Sequence, residues 1–111
     1  MIKMGQHCLL SVYGCSSETL ENVSFMLNVL EQAAEECGAT ILSCSHHKFS
    51  PQGLTAILLL SESHISVHTY PEHNCAAFDI FTCGKADSKI GVQCILSLIN
   101  SSHHTLIEVS R

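Results

Sequence analysis

The first readable pattern lies at residues 7–14, HCLLSVYG, a mostly apolar run that closes at Gly14 and reads as a buried strand. Beyond it the spacing changes. Leu20, Val23, Leu27, Leu30, Ala34 and Cys37 recur at intervals of three and four, which predicts a helix with one apolar face. Ser16 or Ser17 is placed to cap that helix, Glu18 and Glu21 suit its positive end or its solvated side, and Gly38 ends it.

Strand character returns over residues 39–48, ATILSCSHHK, and FSPQG then supplies the Pro and Gly of a loop. LTAILLL, residues 54–60, is a continuous apolar run of strand length. In HISVHTY, residues 64–70, the pattern alternates: Ile65, Val67 and Thr69 share one face, and His64, Ser66, His68 and Tyr70 the other. Pro71 interrupts it. CAAFDIFTC, residues 75–83, predicts a further strand ending at Gly84. Asp87 is placed to cap a helix over 88–100, with Ile90, Cys94, Ile95 and Leu98 facing inward and Gly91 as a weak point. HTLIEVS, residues 104–110, predicts a last strand. This order gives an α+β class, a two-layer α/β sandwich whose antiparallel sheet carries its helices on one face.

Length adds that the 111 residues form a single domain. Apolar residues make up 46% and charged residues 14%, more than one small core absorbs, so a homodimer that buries the surplus is expected. A net charge of −5 with five Lys and Arg excludes a phosphate-tracking surface, and nucleic acid is not expected as a partner. No apolar run approaches the roughly 20 residues of a membrane span, and the N-terminal MIKMGQHCLL lacks the apolar region and cleavage site of a leader. No membrane and a cytoplasmic location are the expectations. Seven cysteines, odd in number and without a Cys-x-x-Cys pair, argue against a disulfide framework. Eight histidines raise the question of zinc, but no Cys lies at zinc-finger spacing from SHHKF or SHHTL, and no metal site is expected.

One segment does not fit a plain strand. Ser61, Glu62 and Ser63 separate two strand candidates, and the bland reading is a hairpin turn. The chemical reading is sharper. A serine hydroxyl held against its own preceding carbonyl attacks it and turns the amide into an ester, given a donor for the oxyanion and a base for the later proton transfer. His68, five residues on, is a candidate base.

LSESHISVHTYPE, continued through AAFDIFTCG and flanked by GQHCLLSVYGC and FSPQGLT, resembles the bacterial S-adenosylmethionine decarboxylase proenzymes over most of the chain. The resemblance implies a cut between Glu62 and Ser63, leaving a β chain of residues 1–62 and an α chain of 63–111 that begins with a pyruvoyl group derived from Ser63. In that scheme His68 takes the α proton during processing and Thr55 assists with its hydroxyl. The pyruvoyl carbonyl then forms a Schiff base with the substrate amine and withdraws electrons as carbon dioxide leaves. Cys83 matches the proton donor of that second reaction, Glu72 the acid that binds the ribose hydroxyls, and Phe49 the aromatic that stacks on adenine. Tyr70 and Ser61 depart from the residues frequent in relatives, Trp and Ala. The implied substrate is S-adenosylmethionine, whose product donates aminopropyl groups for spermidine synthesis. Decarboxylation of arginine or ornithine by the same chemistry, or a non-catalytic homologue, are the alternatives.

Overall fold

The computed structural model describes residues 2–111. The chain runs β1 (Gln6–Tyr13), α1 (Ser17–Glu21), α2 (Val23–Cys37), β2 (Ile41–Lys48), β3 (Leu54–Leu60), β4 (Ser63–Tyr70), β5 (Cys75–Thr82), α3 (Ser88–Leu98) and β6 (His103–Ser110). The six strands form one antiparallel sheet in the order β2-β3-β4-β5-β1-β6. This is the expected α+β arrangement.

The pleat explains why the helices keep to one face. Cys8, Leu10 and Val12 of β1, Leu54, Ala56, Leu58 and Leu60 of β3, Ile65 and Val67 of β4, and Phe78 and Ile80 of β5 all point the same way and are buried. Met26, Val29, Leu30, Ala33 and Ala34 of α2 and Val92 and Ile95 of α3 close over them. The opposite face carries no helix. LTAILLL is therefore not buried throughout: Ile57 and Leu59 stand exposed on the open face, joined there by Ile107 at 62% exposure.

The expected single first helix is two. Asn22 adopts extended dihedrals and caps α2 by accepting from the Phe25 N–H at 3.0 Å, while its own N–H closes α1 on Thr19. An Asn inside a periodic stretch thus serves as a second start. The resulting change in phase gives Met26, Val29 and Ala33 the core positions and leaves Val23 and Leu27 partly buried.

Two expectations about α3 are also corrected. Ile90 is exposed, and Ser88, Gly91, Val92 and Ile95 are the buried residues. Gly91 is a packing point: a Cβ there would lie 2.6 Å from Cys37 Sγ and 3.2 Å from Ile80 Cδ1, so its missing side chain lets α3 approach α2 and the sheet.

Candidate active site

Leu60 and Ser63 are register partners, so only Ser61 and Glu62 form the turn between β3 and β4. The Ser61 N–H donates to the Thr40 carbonyl at 2.9 Å and anchors the turn from outside. Glu62 sits at φ 68°, in the left-handed region. That conformation costs an L-residue about 1–2 kcal/mol, which is why turns usually place Gly or Asn there. The Glu62 carbonyl accepts a hydrogen bond from Cys83 Sγ at 2.6 Å, and Ser63 Oγ donates to the Ser61 carbonyl at 3.5 Å. A hydroxyl and a thiol therefore flank one strained peptide group.

A second group lies elsewhere on the sheet. Thr55 and His68 are register partners on β3 and β4, and Thr55 Oγ1 meets His68 Nδ1 at 3.0 Å on the open face. Glu72, exposed, belongs to a short 3₁₀ turn, Pro71–His73, that follows β4. Phe49, also exposed, follows β2 and closes its loop by donating its N–H to the Gly53 carbonyl at 2.8 Å. Thr55, His68, Glu72 and Phe49 all lie toward the end of the sheet opposite Glu62, Ser63 and Cys83.

Ser63 and His68 are thus not brought together within one chain. They occupy β4 five residues apart, and an extended strand rises about 3.3 Å per residue, for a separation of about 16 Å. Proton transfer requires approach to about 3 Å. Within one chain His68 therefore stands too far from Ser63 to take its proton.

Around the hairpin, the open face carries an aromatic row in which His64 pairs with Phe81 and Phe81 with His7. The rings meet edge-on or tilted at 5.6–6.4 Å, and the Arg111 guanidinium lies 5.2 Å over Phe81. His7 Nε2, shielded from solvent, lies 3.6 Å from Asp79. Beside Cys83 opens a cavity of about 550 Å³ lined by Lys3, Gly5, Thr82, Lys85 and Asp87 among others. A Cβ on Gly5 would meet the Thr82 carbonyl at 2.5 Å and the Phe81 ring at 2.8 Å, so this wall of the cavity tolerates no side chain.

The remaining cysteines are of a different kind. Burial pushes the thiols of Cys15 and Cys94 up from the usual range and carries that of Cys37 to about 11. Cys8 is buried and donates to Ser88 Oγ at 3.3 Å. Among the described residues no three His, Cys, Asp or Glu side chains are grouped to hold a metal ion, and no helix is long and apolar enough to cross a membrane.

Fold and site together define a class: an α+β sheet protein with a hydroxyl and a thiol set against one strained hairpin peptide. Comparison supplies the particular family. Residues 6–111 match the model of the S-adenosylmethionine decarboxylase family, and the chain belongs to that family. It is 38% identical to the S-adenosylmethionine decarboxylase proenzyme of Methanococcus aeolicus, over 100% of this chain and 96% of the relative. The proenzyme of Geobacillus kaustophilus is 35% identical over 100% of this chain and 90% of its own length. The crystal structure of the adenosylmethionine decarboxylase from Aquifex aeolicus superposes with a TM-score of 0.89 at 30% identity, covering 100% of this chain and 92% of that one.

Proposed function

We propose that the chain is a self-processing decarboxylase of S-adenosylmethionine whose active site is shared between two subunits. The observation that carries this reading is the Glu62–Ser63 peptide itself, strained at φ 68° and hydrogen-bonded through its carbonyl to Cys83 Sγ. Strain raises the ground state, and a donor on the carbonyl favours the oxyanion formed when the hydroxyl attacks. Ser63 Oγ adds to the Glu62 carbonyl carbon, the C–N bond breaks, and an ester replaces the amide. Removal of the Ser63 α proton then expels the Glu62 carboxylate, and hydrolysis of the dehydroalanine releases ammonia and leaves a ketone at residue 63. The products are a β chain of residues 1–62 and an α chain of 63–111.

His68 would reach Ser63 only from a second subunit. His68, oriented by Thr55 at 3.0 Å, lies on the open face and not beside Ser63. That face exposes Ile57, Leu59, Ile107 and Val109, an apolar surface suited to a copy of itself. A two-fold pairing of open faces sets His68 and Thr55 of the partner subunit against Ser63, and brings Phe49 and Glu72 of the partner subunit toward the cavity beside Cys83. Each site then draws its hairpin and thiol from one subunit and its base and nucleoside-binding side chains from the other.

The pyruvoyl group supplies the electron sink for loss of carbon dioxide. The chain's own residues do the rest. Glu72 accepts from a ribose diol, Phe49 offers a face to the adenine, and Cys83 delivers a proton to the carbon that has lost its carboxylate. The decarboxylated product is an aminopropyl donor of the kind spermidine synthesis consumes. Seven free thiols suit a reducing cytoplasm.

Intact-mass measurement tests the processing, with two fragments expected and the second blocked at residue 63. Carbon dioxide release is expected from S-adenosylmethionine and not from arginine or ornithine. A chain that stays whole, or that acts only on a basic amino acid, overturns the proposal. Cys83→Ala is expected to slow the cut by up to about tenfold, the scale of one net hydrogen bond, and to impair turnover as well.

A further inference from the structure

Phe49 is 48% exposed, yet it is held from several sides. Its N–H donates to the Gly53 carbonyl at 2.8 Å, and the His47 ring meets its own ring edge-on at 4.6 Å between centroids. Gly53 is fixed in turn, because its N–H donates to Glu21 Oε1 at 2.6 Å across 32 residues of sequence. The other Glu21 oxygen lies 3.8 Å from Lys48 Nζ, the residue just before Phe49. One carboxylate at the end of α1 therefore grips both ends of the loop that carries the exposed ring. The same short helix packs against the 3₁₀ turn that carries Glu72. An exposed aromatic gains little stability from being pinned, but a ring offered to a flat ligand binds it better when its position is settled beforehand.

We infer that Glu21 is a positioning residue for substrate binding, which acts through Gly53 to hold Phe49 as a platform for the nucleobase. This rests on the reading of Phe49 given under the proposed function. Glu21 was expected to serve the helix dipole or the solvent, whereas its carboxylate is largely withdrawn from water and committed to the loop. The effect is confined to that loop. The next residue, Leu54, is tied independently by its N–H to Thr69 Oγ1 at 2.9 Å, so Thr55 and His68 keep their places when Glu21 is removed.

The test measures the rate of self-cleavage on the uncut chain, and kcat and KM for S-adenosylmethionine on processed enzyme. Glu21→Ala is expected to raise KM roughly tenfold, the scale of one charge-assisted hydrogen bond, with kcat and self-cleavage within about twofold. Glu21→Gln keeps an acceptor for the Gly53 N–H and is expected to recover most of the KM. Glu21→Ser, too short to reach Gly53 but suited to an exposed helix end, carries the same expectation as Glu21→Ala should that variant fold poorly. Because Glu21 acts through Phe49, adding Glu21→Ala to Phe49→Ala is expected to raise KM no further. Multiplying effects in the double variant, an unchanged KM in the alanine and serine variants, or an equal loss in self-cleavage overturns the inference. Failure of the underlying reading looks different: Phe49→Ala alone then leaves KM unchanged, or the wild-type enzyme does not act on S-adenosylmethionine.

Discussion

If each site is shared, two inactive variants restore one another. Ser63→Ala removes the nucleophile and keeps His68, and His68→Ala does the reverse. Neither variant alone is expected to cut itself. In a mixed dimer, the Ser63 of the His68→Ala chain meets His68 of the partner subunit, and that site is fully wild type. The other site lacks both groups. Random pairing of equal amounts makes about half of the dimers mixed, so about half of the His68→Ala chains in the whole pool, and all of those in isolated mixed dimers, are expected to be cleaved, and no Ser63→Ala chain is. The estimate depends on the separation within one chain. Five residues of extended strand place His68 about 16 Å from Ser63, and a proton is passed only near 3 Å. For His68 of the same chain to reach Ser63, β4 would have to fold back on itself, which breaks its pairing with both β3 and β5. The assay is co-expression of differently tagged variants, isolation of dimers carrying both tags, and gel or mass analysis of the fragments. Mixed dimers confirmed by both tags but left uncut would refute the shared site. So would cleavage of Ser63→Ala partners of either kind.

Three further outcomes follow from single features. Glu62→Gly removes the left-handed strain of about 1 kcal/mol at the residue before the scissile bond, and is expected to slow self-cleavage by up to about fivefold in a gel time course; equal or faster cleavage contradicts a role for strain. Gly91→Ala places a Cβ 2.6 Å from Cys37 Sγ and is expected to cost about 1–3 kcal/mol by denaturant unfolding, with part of the loss returned by Cys37→Ala. Burial holds the Cys37 thiol up at about 11 from 9.0, so the native state resists ionisation that the unfolded chain undergoes. Stability from this group is nearly whole below pH 9 and falls by roughly 2 kcal/mol as pH rises to 11, a contribution that melting curves of Cys37→Ala should lack.

Sequence made some of these features plain and hid others for physical reasons. The alternation in residues 64–70 assigned each side chain of β4 to its face, because a period of two leaves no ambiguity. The polar break at Ser61–Ser63 marked the hairpin. Distance in the same region was less legible: five residues are close along the chain, but a strand spreads them over about 16 Å. Asn22 hid within a stretch of helical spacing because a cap and a solvent-facing helix residue are both polar. Gly91 read as a weak point because propensity counts the missing side chain and not the neighbour that needs the space. Glu21 could not be linked to Gly53 from sequence at all, since only the fold brings residues 32 positions apart into contact.

The strand order β2-β3-β4-β5-β1-β6 bears on what the proposed cut at Glu62–Ser63 would leave. The first fragment would own β1, β2 and β3, and the second β4, β5 and β6, but β1 lies between β5 and β6. The two pieces are therefore interlaced rather than apposed, with three ladders of hydrogen bonds crossing the boundary between them. On the proposed cut the hairpin would give its bond to chemistry, while the weave of the strands would keep the halves as one body.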